Sequence, residues 1–298
     1  MKRYYAAIVA IAIVLAACSS GSNVVATVNG TDISTVDVEG LLLEKGDDFG
    51  DAQFIAILDF LIQLNAVGDA ARADFGIEAD GDEVAAEVDR LHTEQGAGMT
   101  FEEYLASQNI SAKGLDLRAT RFVIASEVFE GLNQSMQAST ESDAQQLLAD
   151  DPMSWTEVCA SHILVATAEE ADAVRARLDA GEEFAAVAIE TSLDTGSGQA
   201  GGDLGCTVPV TFVPEFAAAT MTAELGEIAP AVESQFGFHL IRVDSRREAT
   251  VEEVQTALVI EAVDNWYLSS LNSAEISVDE GWGTWQTEPQ PGIVPPSP

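Results

Sequence analysis

Basic side chains are scarce: 13 Lys and Arg stand against 50 Asp and Glu in 298 residues, and the formal net charge is −37. A surface of that sign repels phosphate, which excludes nucleic acid as a partner and leaves no electrostatic affinity for anionic lipid. Histidine and cysteine are also rare, three of each. None of Cys18, Cys159 and Cys206 lies in a C-x-x-C pair, so a dithiol redox motif is excluded, and the remaining thiols are too few for a structural zinc site. No metal and no cofactor are expected. No internal repeat is visible, and the apolar run from Tyr4 through Ala17 is shorter than the ~20 residues of a bilayer-spanning helix.

That run follows Lys2 and Arg3 and ends in Leu15-Ala16-Ala17-Cys18. It reads as a secretory signal with a small-residue cleavage site, and it resembles the lipobox of bacterial lipoproteins. The resemblance implies removal of residues 1–17 and diacylglyceryl on the Cys18 thiol, a membrane anchor supplied by lipid rather than by the protein surface. Loss of Lys2 and Arg3 takes the net charge from −37 to about −39. Cys159 and Cys206 then remain as an even pair in an oxidising compartment, either bridged to each other or two separate core thiols.

Length predicts roughly two domains. Two short extended runs flank Asn29-Gly30, a favoured hairpin dipeptide, and Ser34 with Asp37 opens a helix. A second helix is predicted over 51–74, stopped by Gly76. A third is marked by Val84, Val88 and Leu91. Thr100 and Glu103 form a capping-box pattern, and a long fifth helix carries Leu115, Phe122, Val128 and Leu132, followed by a polar, partly helical stretch to Asp151. The pattern then shifts to a compact α+β unit. Strands are predicted at 158–165, 228–232 and 238–245, helices at 168–180, 184–191 and 214–224, and a glycine-rich loop at 194–205. Thr250 and Glu253 cap a last helix whose apolar stripe must pack on the N-terminal helices, with a strand at 276–278. The domains read as 1–17 signal, 18–152 helical, 153–247 compact α+β, 248–280 returning to the N-terminal domain, and 281–298 a disordered proline-rich tail.

Four blocks carry chemistry: Ala160-Ser161-His162-Ile163-Leu164-Val165, Gly201-Gly202-Asp203-Leu204-Gly205, Val213-Pro214-Glu215-Phe216, and Ser234-Gln235-Phe236-Gly237-Phe238-His239-Leu240-Ile241. In this order and spacing they resemble the parvulin family of peptidyl-prolyl isomerases over about residues 156–246. The resemblance implies a four-stranded antiparallel sheet with helices, inserted in a mostly α-helical domain that is similar to those of SurA/PrsA-like foldases. It matches His162 and His239 to a paired-histidine motif and Asp194 to a position held by Cys or Asp. Ser234 matches the hydroxyl residue before the second histidine, and Leu204, Phe212 and Phe216 match an apolar slot for the proline ring. Cys206 and the run Thr207-Val208-Pro209-Val210 depart from the family pattern. Gly196-Ser-Gly198-Gln-Ala-Gly201 fits a dinucleotide fingerprint by spelling alone, since no strand precedes it and no helix follows.

The implied activity needs no nucleophile. An X-Pro bond resists rotation by ~18–20 kcal/mol because twisting sacrifices amide resonance, and catalysis consists of binding the twisted form better than the planar ones. In this scheme Leu204, Phe212 and Phe216 hold the ring, His162 and His239 form a hydrogen-bonded pair that shapes the slot, and Asp194 acts electrostatically at the carbonyl. The implied partners are unfolded exported polypeptides, with the helical domain a cradle for them or a spacer from the membrane. The alternatives are a holdase chaperone whose altered loop has lost turnover, and a solute-binding lipoprotein, for which a two-lobed α/β pattern is lacking.

Overall fold

The computed structural model describes residues 23–42 and 50–296, and the signal segment with Cys18 lies outside them. The described residues divide into two compact units, one made of those up to 136 together with 259–296, the other of 137–258. Both boundaries fall inside long helices that run from one unit into the other.

The first unit opens with β1 (Val24–Val28) and β2 (Thr31–Ser34). They are joined through Asn29 and Gly30 at φ 50° and 82°, the positive values a tight hairpin turn requires. Helix α1 (Thr35–Glu39) carries a complete capping box between Ser34 and Asp37. Helix α2 (Asp51–Phe75) ends at Gly76 in the left-handed conformation. It is long and apolar enough to cross a bilayer by composition, yet Leu58, Leu61, Ile62 and Leu64 are buried in the unit's main core. Helices α3 (Gly81–Gln95), α4 (Phe101–Ser107) and the start of α5 (Ala112–Asp150) enclose a smaller cluster around Tyr104, Ile110 and Leu115. Thr100 and Glu103 cap α4 reciprocally. The polar stretch after Asn133 is continuous helix, a state its Gln, Ala, Ser and Glu residues permit once the preceding turns have nucleated it.

The second unit contains β3 (Thr156–Val165), α6 (Ala168–Asp179), α7 (Phe184–Thr191), β4 (Asp203–Thr207), α8 (Pro214–Thr222), β5 (Val232–Ser234) and β6 (Gly237–Glu248). They form a four-stranded sheet in the order β4-β3-β6-β5, antiparallel throughout. Ile228 lies ahead of the short strand as an isolated bridge to Arg242. Side-chain alternation divides the core by face. Ile163, Val165 and Leu240 pack under α6 and α7, whereas Ala160, Ile241 and Val243 pack with Phe216 of α8. A disulfide joins Cys159 and Cys206, which are directly opposite in the β3–β4 register.

Helix α9 (Val251–Ser273) begins at a Thr250–Glu253 cap, and β7 (Ile276–Val278) pairs with β1. Trp266, Tyr267 and Leu271 join the first unit's core. Residues 281–296 are not a disordered tail. Strands β8 (Thr284–Gln286) and β9 (Gly292–Val294) form a hairpin, held because Trp282, Trp285 and Ile293 pack on that core.

Candidate functional site

His162 and His239 lie on the two central strands of the second unit. His162 is paired with Ile241, and His239 with Leu164. The histidines are therefore diagonal neighbours on one face, within reach across the ladder. Both are buried, with stacked rings and Nδ1 atoms 3.2 Å apart.

Each ring has a further polar partner. His162 Nε2 lies 2.8 Å from Asp194 Oδ2 and 3.2 Å from Ser197 Oγ. His239 Nε2 lies 2.7 Å from Ser234 Oγ. The Asp194 carboxyl is held far below the usual carboxylate range, first by the Ser197 hydroxyl, which donates at 2.6 Å, then by His162 and by the Gly196 N–H. An ionised carboxylate only accepts, so His162 Nε2 carries a hydrogen. Burial, with the neighbouring His162 ring, pushes His239 down to about 4. For the neutral pair the donors then run one way: Ser234 O–H to His239 Nε2, His239 Nδ1–H to His162 Nδ1, and His162 Nε2–H to Asp194. The Phe236 N–H completes the row by donating to Ser234 Oγ at 3.1 Å.

An aromatic wall stands against this row. The Phe216 ring meets His162 and His239 edge-on at centroid distances of 5.4 and 5.3 Å, and Phe212 lies 4.7 Å from Phe216. Phe216 is buried, while Phe212 and Leu204 are half-buried against the same cluster. Pro214 at the first turn of α8, where no N–H is needed, fixes the start of the helix that carries Phe216. The departing run before it folds into a 3-10 turn at Pro209–Thr211, and the Phe212 N–H donates to the Pro209 carbonyl. The altered loop thus still brings Phe212 to Phe216. Gly202, at φ 81°, passes so close to the His162 carbonyl that a Cβ would collide with it, and its own carbonyl accepts from the His162 N–H at 2.8 Å.

The structure brings together His162, His239, Asp194 and Ser234, with Leu204, Phe212 and Phe216 in one adjoining cluster. Asp194 differs from its sequence expectation, because Oδ1 is occupied by the Gly196 N–H and Oδ2 by Ser197 and His162. That geometry suits orienting His162 rather than facing a carbonyl. Sequence reasoning missed Ser197, which is buried and bonded to both Asp194 and His162. Its signal was the Asp-x-x-Ser spacing, in which a side chain three residues on can return to a loop carboxylate. Among the described residues no cluster of His, Cys, Asp and Glu could hold a metal ion.

Comparison with known proteins agrees on one part of the chain and extends beyond it. A family model described as PPIC-type PPIASE domain matches residues 147–247. The foldase protein PrsA of Halalkalibacterium halodurans is 30% identical over 247 residues, covering 80% of this chain and 71% of that protein. PrsA of Clostridium botulinum is 35% identical over 159 residues, about half of each chain. Among solved structures, a PrsA peptidylprolyl isomerase from Bacillus anthracis aligns over 72% of this chain and 96% of its own, at 23% identity and a TM-score of 0.37.

Proposed function

Because this chain belongs to the PrsA family of foldases, whose PPIC-type domain it carries over residues 147–247, we propose that its second unit catalyses cis-trans isomerisation of X-Pro bonds in exported polypeptides. The observation that carries the reading is the one-directional row Ser234–His239–His162–Asp194 beside the Phe212–Phe216 wall.

The wall and Leu204 offer an apolar seat for a prolyl ring, whose burial favours binding by ~25 cal/mol per Å² of apolar surface. With the ring seated, rotation falls on the preceding carbonyl. The twisted amide has lost resonance, so its nitrogen becomes a better acceptor and its carbonyl less polarised than in the planar forms. A site serves catalysis by fitting that state better than either ground state. The histidine pair supplies rigid walls whose ring orientations are fixed at both ends, by Asp194 with Ser197 and by Ser234. Fixed dipoles of this kind need no reorganisation as the bond turns. No covalent step is involved.

The test is a proline-limited assay with a short X-Pro peptide, together with refolding of a protein slowed by proline isomerisation. Acceleration by the full chain, reduced about 100-fold or more in His162→Ala with His239→Ala, fits the reading. Suppressed aggregation with no acceleration in either assay would replace it by a holdase. We further propose that Cys18 carries diacylglyceryl and holds the protein at the extracytoplasmic face of a membrane, where exported chains emerge unfolded.

A further inference from the structure

We propose that the C-terminal hairpin, residues 281–296, is a detachable strap covering a client-binding face on α2, and that this face takes an extended polypeptide segment bearing aromatic and aliphatic side chains. The inference rests on the foldase reading, to which it adds a second site in the first unit, separate from the isomerase residues.

The hairpin is weakly tied. β8 and β9 are three residues each and form a sheet of their own, with no ladder to β2-β1-β7. A two-stranded hairpin is marginal by itself, so side chains hold it. Trp282 stacks on Phe54 of α2 with ring centroids 3.8 Å apart, and Trp285 and Ile293 pack on the same core. One main-chain donor of the strap, the Ile293 N–H, reaches Asp59 Oδ1 of α2 at 3.0 Å. The Trp285 Nε1–H is buried with no acceptor among the described residues, a desolvation without return that favours release.

The face beneath is organised without the strap. Gln63 Nε2 donates to the other Asp59 oxygen at 2.6 Å, and the Tyr267 hydroxyl donates to Gln63 Oε1. Asp59 thus stands as a prepared acceptor for a backbone N–H, five residues along α2 from Phe54 and its apolar core. The built-in occupant shows what chemistry fits: Trp, Ile and a free N–H. Its sequence, with Pro289 and Pro291 between Trp285 and Ile293 and with Pro295 and Pro296 after Val294, has the character of the X-Pro-containing chains a foldase meets.

The experiment compares the full mature chain with a version ending at Asp279 and with Trp285→Ala/Ile293→Asp, which loosens the strap without shortening the chain. The probe is a fluorescent synthetic peptide of residues 281–296. The expected result is saturable binding to both variants at least 10-fold tighter than to the unaltered chain, lost again when Phe54→Ala is added. Folded variants that bind no better than the unaltered chain overturn the inference. So does loss of helical circular dichroism in both variants, since the hairpin would then be integral core. Isomerisation of a short X-Pro peptide is followed in parallel and should be unchanged. Absence of that activity in every form, the unaltered chain included, would instead count against the isomerase reading, while peptide binding still reports on the strap.

Discussion

Four side chains in the second unit form a row whose donors, with both rings neutral, run in one direction, and each histidine takes its tautomer from its neighbours. Ser234→Ala removes the donor to His239 Nε2 and lets that ring rotate. A buried hydrogen bond of this type contributes about 1 kcal/mol, so kcat/KM for a short X-Pro peptide should fall about 5- to 10-fold with the fold intact. An unchanged value would remove Ser234 from the site. His239 also links folding to pH. Its pKa is about 4 when folded against about 6.5 when unfolded, so the unfolded state binds more protons between these values. Its contribution is fully present above about pH 6.5 and is lost as pH falls toward 4. Asp194, with its carboxyl depressed, keeps its contribution throughout that window and loses it only in stronger acid. Denaturant midpoints measured between about pH 7 and pH 4 should therefore drop more for the unaltered chain than for His239→Gln. Parallel curves would refute the assignment. The histidines were legible in the sequence because two of only three fell in ordered motif blocks. Ser197 was not, because its importance comes from a loop turning back on itself.

At the scale of elements, what the sequence disclosed was local chemistry. Ser34, Thr100 and Thr250 each precede an acidic residue by three positions, and each caps its helix in the structure. Asn29-Gly30 makes its hairpin for similarly local reasons. The strand β8–β9 pairing was hidden, since Thr287 to Pro298 reads as proline-rich coil and only packing of Trp282 and Trp285 on a distant helix orders it. The true extent of α5 was hidden for the opposite reason: polar composition suggests fraying, but helix propagation is cheap once begun. The Cys159–Cys206 bridge joins adjacent strands across a separation of 47 residues. Cys159→Ala with Cys206→Ala should lower the stability of the second unit by about 2–4 kcal/mol. Calorimetry or chemical denaturation checks this, and a loss well below 1 kcal/mol would mean that the strand pairing holds without the bridge.

For the molecule as a whole the governing quantity is charge. A net −37 makes the compact state repel itself, and exposed charges are screened within a Debye length of about 10 Å at 0.1 M salt. Raising salt from about 10 mM to about 0.5 M should raise Tm, whereas a fall would show that exposed ion pairs such as Arg177 with Glu182 and Glu190 outweigh the repulsion. The same charge gives the protein body no attraction to anionic lipid. Cys18→Ala should therefore move the protein from the membrane fraction to the soluble one, measured by fractionation after expression with the signal intact. Persistence in the membrane fraction would reject the lipid anchor.

The sheet of the second unit is unevenly knit. β3 and β6, which carry the two histidines, match over ten residue pairs, while β3 and the edge strand β4 match over three. In hydrogen exchange the amides around His162 and His239 should therefore be among the last to open and those around Leu204 among the first. On that expectation the polar row stands on the slow part of the second unit, and Leu204, in the proposed seat for a prolyl ring, on the fast part. Under the proposed isomerase reading, the edge would admit a client ring of varying neighbours without disturbing the tautomers at the centre. The bridge from Cys206 to Cys159 ties that edge to β3, so reducing it should speed exchange around Leu204 while leaving the amides of His162 and His239 slow.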